Sequence, residues 1–129
     1  MISGDRTINR EISYLNEKLK EVSGINRVDV LNKLALVNCS NAPKKCIEYG
    51  NKALKLAIEL KYRKGEVDSL VNIGMGYSFT GEYRISLEFY HKALKLAEEL
   101  NDKKKMNDTL LKIGIIYKNR GSYNQALEY

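Results

Sequence analysis

Side chains that could do chemistry are few in this sequence and lie far apart. His91 is the one histidine, and no cysteine or acidic cluster surrounds it along the chain. A zinc site or a general base needs such neighbours, so His91 is expected to be a solvated surface residue. The sequence predicts no catalytic residue, no metal site and no cofactor.

The two cysteines, Cys39 and Cys46, are spaced neither as a CxxC redox pair nor as zinc ligands. A single bridge between them would be a thin framework for a secreted domain, so the sequence favours a reducing, cytoplasmic setting. Both cysteines are expected to fill small positions in helix contacts rather than to act as nucleophiles.

The sequence predicts neither a phosphate-binding loop nor a used glycosylation site. Gly74, Gly76 and Gly81 belong to no GxxxxGK[ST] or GxGxxG motif after a strand. The glycosylation triplets that begin at Asn38 and Asn107 lie in helical context and are discounted. The sequence therefore predicts that the chain is not an enzyme.

The charge balance permits acidic partners, because 22 lysines and arginines face 16 acidic residues, a formal net charge of +6. Basic residues cluster at two places, Lys61 to Lys64 and Lys103 to Lys105. No aromatic residues alternate with the second cluster to stack bases, so nucleic acid is disfavoured as a partner. The first residues become charged at once and contain no long apolar run, so neither a signal peptide nor a membrane span is predicted.

Apolar residues recur at spacings of three and four, which is typical of amphipathic helices. The first helix carries a stripe of Ile8, Ile12, Leu15, Leu19 and Val22, and Asn26 can cap a second. The remaining predicted helices are Lys44 to Leu60, Arg63 to the turn at Gly81, Tyr83 to Leu100, Lys104 to Arg120, and a seventh that barely begins before Tyr129.

One stretch, Asp68 to Leu100, recurs along the chain. Its second half matches ALKLAIEL (Ala53 to Leu60), and its first half matches LLKIGIIYKNRGSYNQALEY (Leu110 to Tyr129). Both matches lie at a shift of 40 residues. Self-similarity at a fixed period of this length indicates a stack of helix-turn-helix units.

The residues of that unit resemble the tetratricopeptide repeat, whose units stack into a right-handed superhelix. The matching residues are Leu70, Ile73, Gly74, Tyr77, Gly81, Tyr83, Ser86, Tyr90 and Ala93, and Leu110, Ile113, Gly114, Tyr117, Gly121, Tyr123 and Ala126 repeat them. The period is longer than that of the usual tetratricopeptide repeat and is similar to that of repeats in kinesin light chains and many bacterial signalling proteins. The first unit departs from the pattern, because Asn38 and Gly50 stand where aromatic residues are expected.

We therefore predict one all-α domain, a right-handed α-solenoid of about seven helices. It comprises an N-terminal capping helix (1–26), a degenerate repeat (27–61), a complete repeat (63–102) and a truncated repeat (104–129). The resemblance implies that the first helix of each unit lines a concave groove. The predicted groove residues are Asn32, Lys33, Asp68, Val71, Asn72, Met75, Phe79, Leu111, Lys112 and Ile115.

The groove pattern argues against one known mode of binding. Repeats that grip a C-terminal carboxylate use five lysine, asparagine and arginine positions, of which only Asn72 and Lys112 match here. The apolar strip instead favours an amphipathic helix or an extended peptide. The alternative is that Met75 and Phe79 simply pack against neighbouring helices.

The predicted function is non-catalytic binding of a protein or peptide on the concave face, as the interaction or sensor segment of a larger bacterial signalling or regulatory protein. A different reading is a structural module that self-associates into a homo-oligomer. Ile113, Ile116, Tyr117 and Leu127 lack the rest of a partner helix, so the truncated C-terminal repeat would be adhesive.

Overall fold

A computed structural model describes the backbone of residues 2–128 and the side chains of residues 6–121, and within that range it contains six helices and no strand. They are α1 (Ile2–Glu21), α2 (Gly24–Asn38), α3 (Pro43–Leu60), α4 (Arg63–Phe79), α5 (Tyr83–Glu99) and α6 (Lys103–Glu128). The chain is thus all-α, as predicted.

The helices form two layers. Each helix packs on the next one along the chain, and α4 also contacts both α2 and α6. The intervening helices α1, α3 and α5 make no such contacts among themselves. We call α2, α4 and α6 the inner layer and the other three helices the outer layer. This alternation is the arrangement of an α-solenoid.

The outer and inner helices differ in how their apolar residues are distributed. In α3 and α5, buried small residues such as Ala53, Ala57, Ala93 and Ala97 form one stripe beside an otherwise charged surface. In α4, by contrast, buried residues occur on almost every side, from Val67 to Gly76. A helix that is buried all round lies between neighbours on several sides, so α4 is the centre of the core.

Short turns with left-handed residues reverse the chain between helices. Lys61 and Asn101 adopt φ of 55°, and Gly81 adopts φ of 83°. The predicted end of α4 at Gly81 is confirmed. Pro43 stands in the first turn of α3, where its missing N–H costs no hydrogen bond.

Two glycines allow close approach between helices. A Cβ on Gly74 would lie 2.6 Å from the ring of Tyr90, and one on Gly50 would lie 2.7 Å from Ile73. The first contact shows that α4 and α5 approach closely at Gly74. The second explains the missing aromatic of the first repeat, because Ile73 of the next unit occupies that space.

The number and bounds of the helices differ from the prediction in two places. The described residues form six helices rather than seven, since α6 continues through Gly121 without turning. Gly121 does not adopt the positive φ that Gly81 adopts at the end of α4. The second helix begins at Gly24, ahead of the predicted cap Asn26. Gly24 has φ of 61°, so the chain reverses there without further turn residues.

The expectation of free cysteines is also corrected. Cys39 and Cys46 are both buried in helix contacts, as predicted, but their sulfur atoms are joined in a disulfide. The turn between α2 and α3 brings their Cα atoms to 4.9 Å, a separation that the sequence spacing alone does not reveal. The cysteines therefore no longer argue for a reducing setting.

Candidate binding groove

Three rows of side chains cross the inner layer, because three positions recur in α2, α4 and α6. They are an acidic row (Asp29, Asp68, Asp108), a lysine and amide row (Lys33, Asn72, Lys112) and an apolar row (Leu36, Met75, Ile115). Along each helix the rows follow one another at spacings of four and three residues, which keeps them on one helix face. We call this surface the inner face.

The first cavity of the inner face lies between α2 and α4 and has a volume of about 330 Å³. Its lining residues are Asp29, Asn32, Lys33, Leu36, Tyr62, Lys64, Asp68, Val71, Asn72 and Lys105. Lysines and aspartates thus line this cavity together with two asparagines and the apolar side chains of Leu36 and Val71.

Two asparagines join α2 to α4 beneath this cavity. Asn72 Nδ2 donates to both the backbone oxygen and the Oδ1 of Asn32, each at 3.1 Å. Ser69 Oγ donates to Asn32 Oδ1 at 3.1 Å, and Asn32 Nδ2 donates to the Gly65 carbonyl at 3.3 Å. All of these side chains are buried, so the amides of Asn32 and Asn72 are committed to holding the helices together.

Both aspartates that line the first cavity have partners within the chain. The Tyr62 hydroxyl donates to Asp29 Oδ1 at 2.8 Å. Burial, this hydrogen bond to Asp29, and the charges of Asp29 and Asp68 raise the pKa of Tyr62 to about 12. Asp68 Oδ1 lies 2.7 Å from Lys105 Nζ, which supplies the counter-ion that a buried carboxylate oxygen needs.

A second, smaller cavity of about 190 Å³ lies between α4 and α6. It is lined by Met75, Ser78, Phe79, Tyr90, Lys112 and Ile115. Burial raises the pKa of Tyr90 to about 12, against a smaller lowering by Ser86, so the phenol is neutral at physiological pH. Lys112 is the one charged group among these lining residues. The equivalent residue of α4 is Asn72, which is uncharged and faces α2.

A third, more open depression of about 480 Å³ covers the outward side of α6. Leu110, Leu111, Gly114 and Ile115 line it, with Asn107 and Lys118 at its margins. Leu110, Leu111 and Ile115 are all exposed, because the described residues include no helix beyond α6.

The structure distributes the ten predicted groove residues over these three cavities. Asn32, Lys33, Asp68, Val71 and Asn72 line the first, Met75, Phe79, Lys112 and Ile115 line the second, and Leu111 lines the third. Asn32, Val71 and Asn72 are buried and form floor, whereas Lys33, Phe79, Leu111 and Ile115 are exposed. The predicted residues therefore divide into supporting and accessible ones.

Sequence reasoning missed Tyr62, Lys64 and Lys105 as lining residues. The two lysines were assigned to basic turns, and Tyr62 stands at the N-cap of α4, outside the recurring pattern. All three lie at or near the start of an inner helix. Their contribution depends on how the helices pack, which leaves no periodic signal in the sequence.

Among the side chains that are described, no three or more His, Cys, Asp or Glu residues are placed to hold a metal ion. His91 is exposed on α5. In the part of the chain described, no helix is both long and apolar enough to cross a membrane.

Comparison with known proteins identifies one segment. Residues 67–103, which span most of α4, all of α5 and the turn to α6, match the family model of the tetratricopeptide repeat. No curated protein and no solved structure matches the chain. The function must therefore be argued from this repeat and from the inner face.

Proposed function

Since the chain carries a tetratricopeptide repeat, and such repeats generally mediate protein-protein interaction, we propose that it is a non-catalytic scaffold that binds a protein or peptide on its inner face. The ligand would lie across α2, α4 and α6, in contact with the predicted groove residues. Lys33, Phe79, Leu111, Lys112 and Ile115 would touch it, while Asn32 and Asn72 would hold the floor beneath it.

The observation that supports this proposal most is the exposure of large apolar side chains on the inner face. Leu36 is 54% exposed and Phe79 56%, although α2 and α4 each pack against at least three other helices. Apolar groups left open beside a hydrogen-bonded floor are typical of a binding surface.

A peptide display selection on the purified protein tests the proposal. We expect selected peptides to lose binding when Leu36→Asp and Ile115→Asp are combined, because two carboxylates would replace apolar contacts. The matched control is Ile58→Asp on α3, since Ile58 is 55% exposed but lies outside the three cavities of the inner face. Circular dichroism checks that each variant keeps its helices. Peptides that bind all forms equally would contradict the proposal.

We place this scaffold within a larger bacterial signalling or regulatory protein, where ligand binding would bias a linked output domain. The support is the resemblance of NIGMGY, GEYRISLEFYHKALKLAEEL and KIGIIYKNRGSYNQALEY to repeats of that group. A cytoplasmic location belongs to the same proposal.

A second candidate function is self-association through α6. It is favoured by the depression of about 480 Å³ on α6 and by its exposed leucines, Leu110 and Leu111. Sedimentation equilibrium over a range of concentrations would show a dimer that Leu110→Glu with Leu111→Glu abolishes. A monomer at every concentration would rule this function out for the chain.

A further inference from the structure

The inner face combines paired carboxylates with unpaired lysines. Asp29 and Asp68 are engaged by Tyr62 and Lys105, as described above. Four other lysines line the three cavities and make no hydrogen bond or ion pair with any described residue: Lys33, Lys64, Lys112 and Lys118. Asp108 also lacks a described partner, but it lines none of these cavities. Five lysines and two aspartates line these cavities, so the net charge of their lining is positive.

Most of the amide hydrogens of the floor are already used. Asn72 Nδ2 donates twice to Asn32, and Asn32 Nδ2 donates once to the Gly65 carbonyl, so at most one hydrogen, on Asn32, is left for a ligand. The inner layer consists of helices, whose backbone groups bond within the helix. An extended peptide would find few partners here for its own N–H and C=O groups, and an unpaired buried backbone group costs free energy. A helical ligand meets no such cost, because its backbone is satisfied internally.

The spacing of the apolar row fits a helix laid across the inner layer. Packed helices lie about 8 to 10 Å apart, so the apolar residues of α2, α4 and α6 repeat at about that distance. Seven residues of an α-helix rise about 10.5 Å. A helix with apolar residues in heptad spacing would therefore place one beside each of Leu36, Met75 and Ile115.

The lysine and amide row runs beside the apolar row, one turn nearer the start of each inner helix. Glutamate or aspartate on the edge of a ligand helix that meets Lys33 and Lys112 would stabilise the bound state. We propose that the inner face binds an acidic amphipathic helix, with heptad-spaced apolar residues on Leu36, Met75 and Ile115 and its acidic edge on Lys33 and Lys112. This inference rests on the proposed binding function and specifies its ligand.

Three synthetic probe peptides of three heptads test the inference by fluorescence anisotropy. The first has leucine in heptad spacing flanked by glutamates, and the second has lysines in place of the glutamates. The third is the glutamate peptide with a central proline, which disfavours the helix. We expect the glutamate peptide to bind at least tenfold more tightly than either of the others, and to weaken as salt is raised.

A charge reversal provides the second measurement. Lys33→Glu combined with Lys112→Glu should weaken the glutamate peptide at least tenfold and strengthen the lysine peptide. Lys44→Glu combined with Lys95→Glu is the matched control, because both lysines are exposed on outer helices and line none of the three cavities. It changes the net charge equally and should preserve the preference for glutamate.

The outcomes separate this inference from the function on which it rests. Equal binding of the glutamate and lysine peptides, or of the proline peptide, overturns the inference. If that binding is still lost with Leu36→Asp and Ile115→Asp, the inner face binds peptides and the proposed function stands. If no probe binds and the display selection also yields no ligand for the inner face, both are refuted.

Discussion

α4 and α6 carry the same sequence pattern one repeat apart, yet only α4 is enclosed. Leu70 of α4 is 8% exposed, whereas its counterpart Leu110 is 50% exposed. The space in front of Gly74 is filled by Tyr90, whereas a Cβ on Gly114 would meet nothing within 4 Å. The sequence pattern indicates which kind of neighbour a helix can pack against. Its residues are buried only where such a neighbour is present.

The two flanks of α4 repeat this lesson on the inner face. Towards α2, the amides of Asn32 and Asn72 close the seam with direct hydrogen bonds. Towards α6, Lys112 stands at the position equivalent to Asn72, and a cavity of about 190 Å³ remains. At this position one seam is therefore structural, because amides bridge the helices beneath the first cavity, and the other is open, because Lys112 makes no such bond.

Truncating the paired leucines should give the largest difference between the two helices. Leu70→Ala removes a buried side chain and should cost about 2 to 5 kcal/mol of unfolding free energy. Leu110→Ala, the matched change on α6, should cost at most about 1 kcal/mol, since half of that side chain is already in water. Urea denaturation followed by circular dichroism measures both. Equal losses would mean that α6 is covered in solution, as self-association would require.

Substituting the paired glycines should change stability in opposite directions. In Gly74→Ala the new Cβ would meet the Tyr90 ring at 2.6 Å and the Ser86 carbonyl at 3.3 Å, so the variant should lose about 1 to 3 kcal/mol. Gly114→Ala has open space and should gain up to about 1 kcal/mol from helix propensity. Melting temperatures of the two variants provide the measurement. A destabilised Gly114→Ala would show that a helix packs closely against α6.

Replacing Asn72 should separate the structural seam from the open one. Asn72→Leu removes both donors to Asn32 and should cost about 1 to 2 kcal/mol, whereas Lys112→Leu should stay within about 0.5 kcal/mol of the parent. A double-mutant cycle with Asn32→Leu measures the coupling, which should be clearly non-zero since the two side chains touch. Simple additivity would show that the hydrogen bond from Asn72 to the Asn32 side chain contributes nothing.

Much of the fold could be predicted because its signals are local. The start of α4 near Arg63 and its end at the Gly81 turn follow from apolar spacing and from a glycine suited to positive φ. The continuation of α6 through Gly121 could not be predicted in the same way. A glycine permits a turn, but packing of the returning helix must stabilise it, and packing is a non-local property.

The site was less predictable than the fold for the same reason. The repeat resemblance predicted which residues face a groove, yet it could not distinguish Asn72, whose amide bonds to α2, from Lys112, whose ammonium is unpaired. The disulfide between Cys39 and Cys46 likewise depends on how tightly one turn brings two helices together. Hydrogen bonds between helices and sulfur contacts are fixed by distances that the sequence leaves open.

The smallest effect is expected at Tyr90, which covers Gly74 on α4 and has no described counterpart over Gly114 on α6. Its pKa is about 12 in the folded chain, against an ordinary value of 10.0. Above pH 10 the unfolded tyrosine ionises while the folded one stays protonated, so stability falls as pH rises towards 12. At pH 10.5 this loss is roughly 1 kcal/mol, and Tyr90→Phe should remove it because phenylalanine cannot ionise. Urea midpoints at pH 7.5 and pH 10.5 measure how much stability the parent and the variant each lose over this interval. Because Tyr62 contributes equally to both proteins, the difference between the two losses reports on Tyr90. If the two proteins lose the same stability over this interval, ionisation of Tyr90 is not linked to unfolding, and its burial against α4 is weaker than the structure indicates.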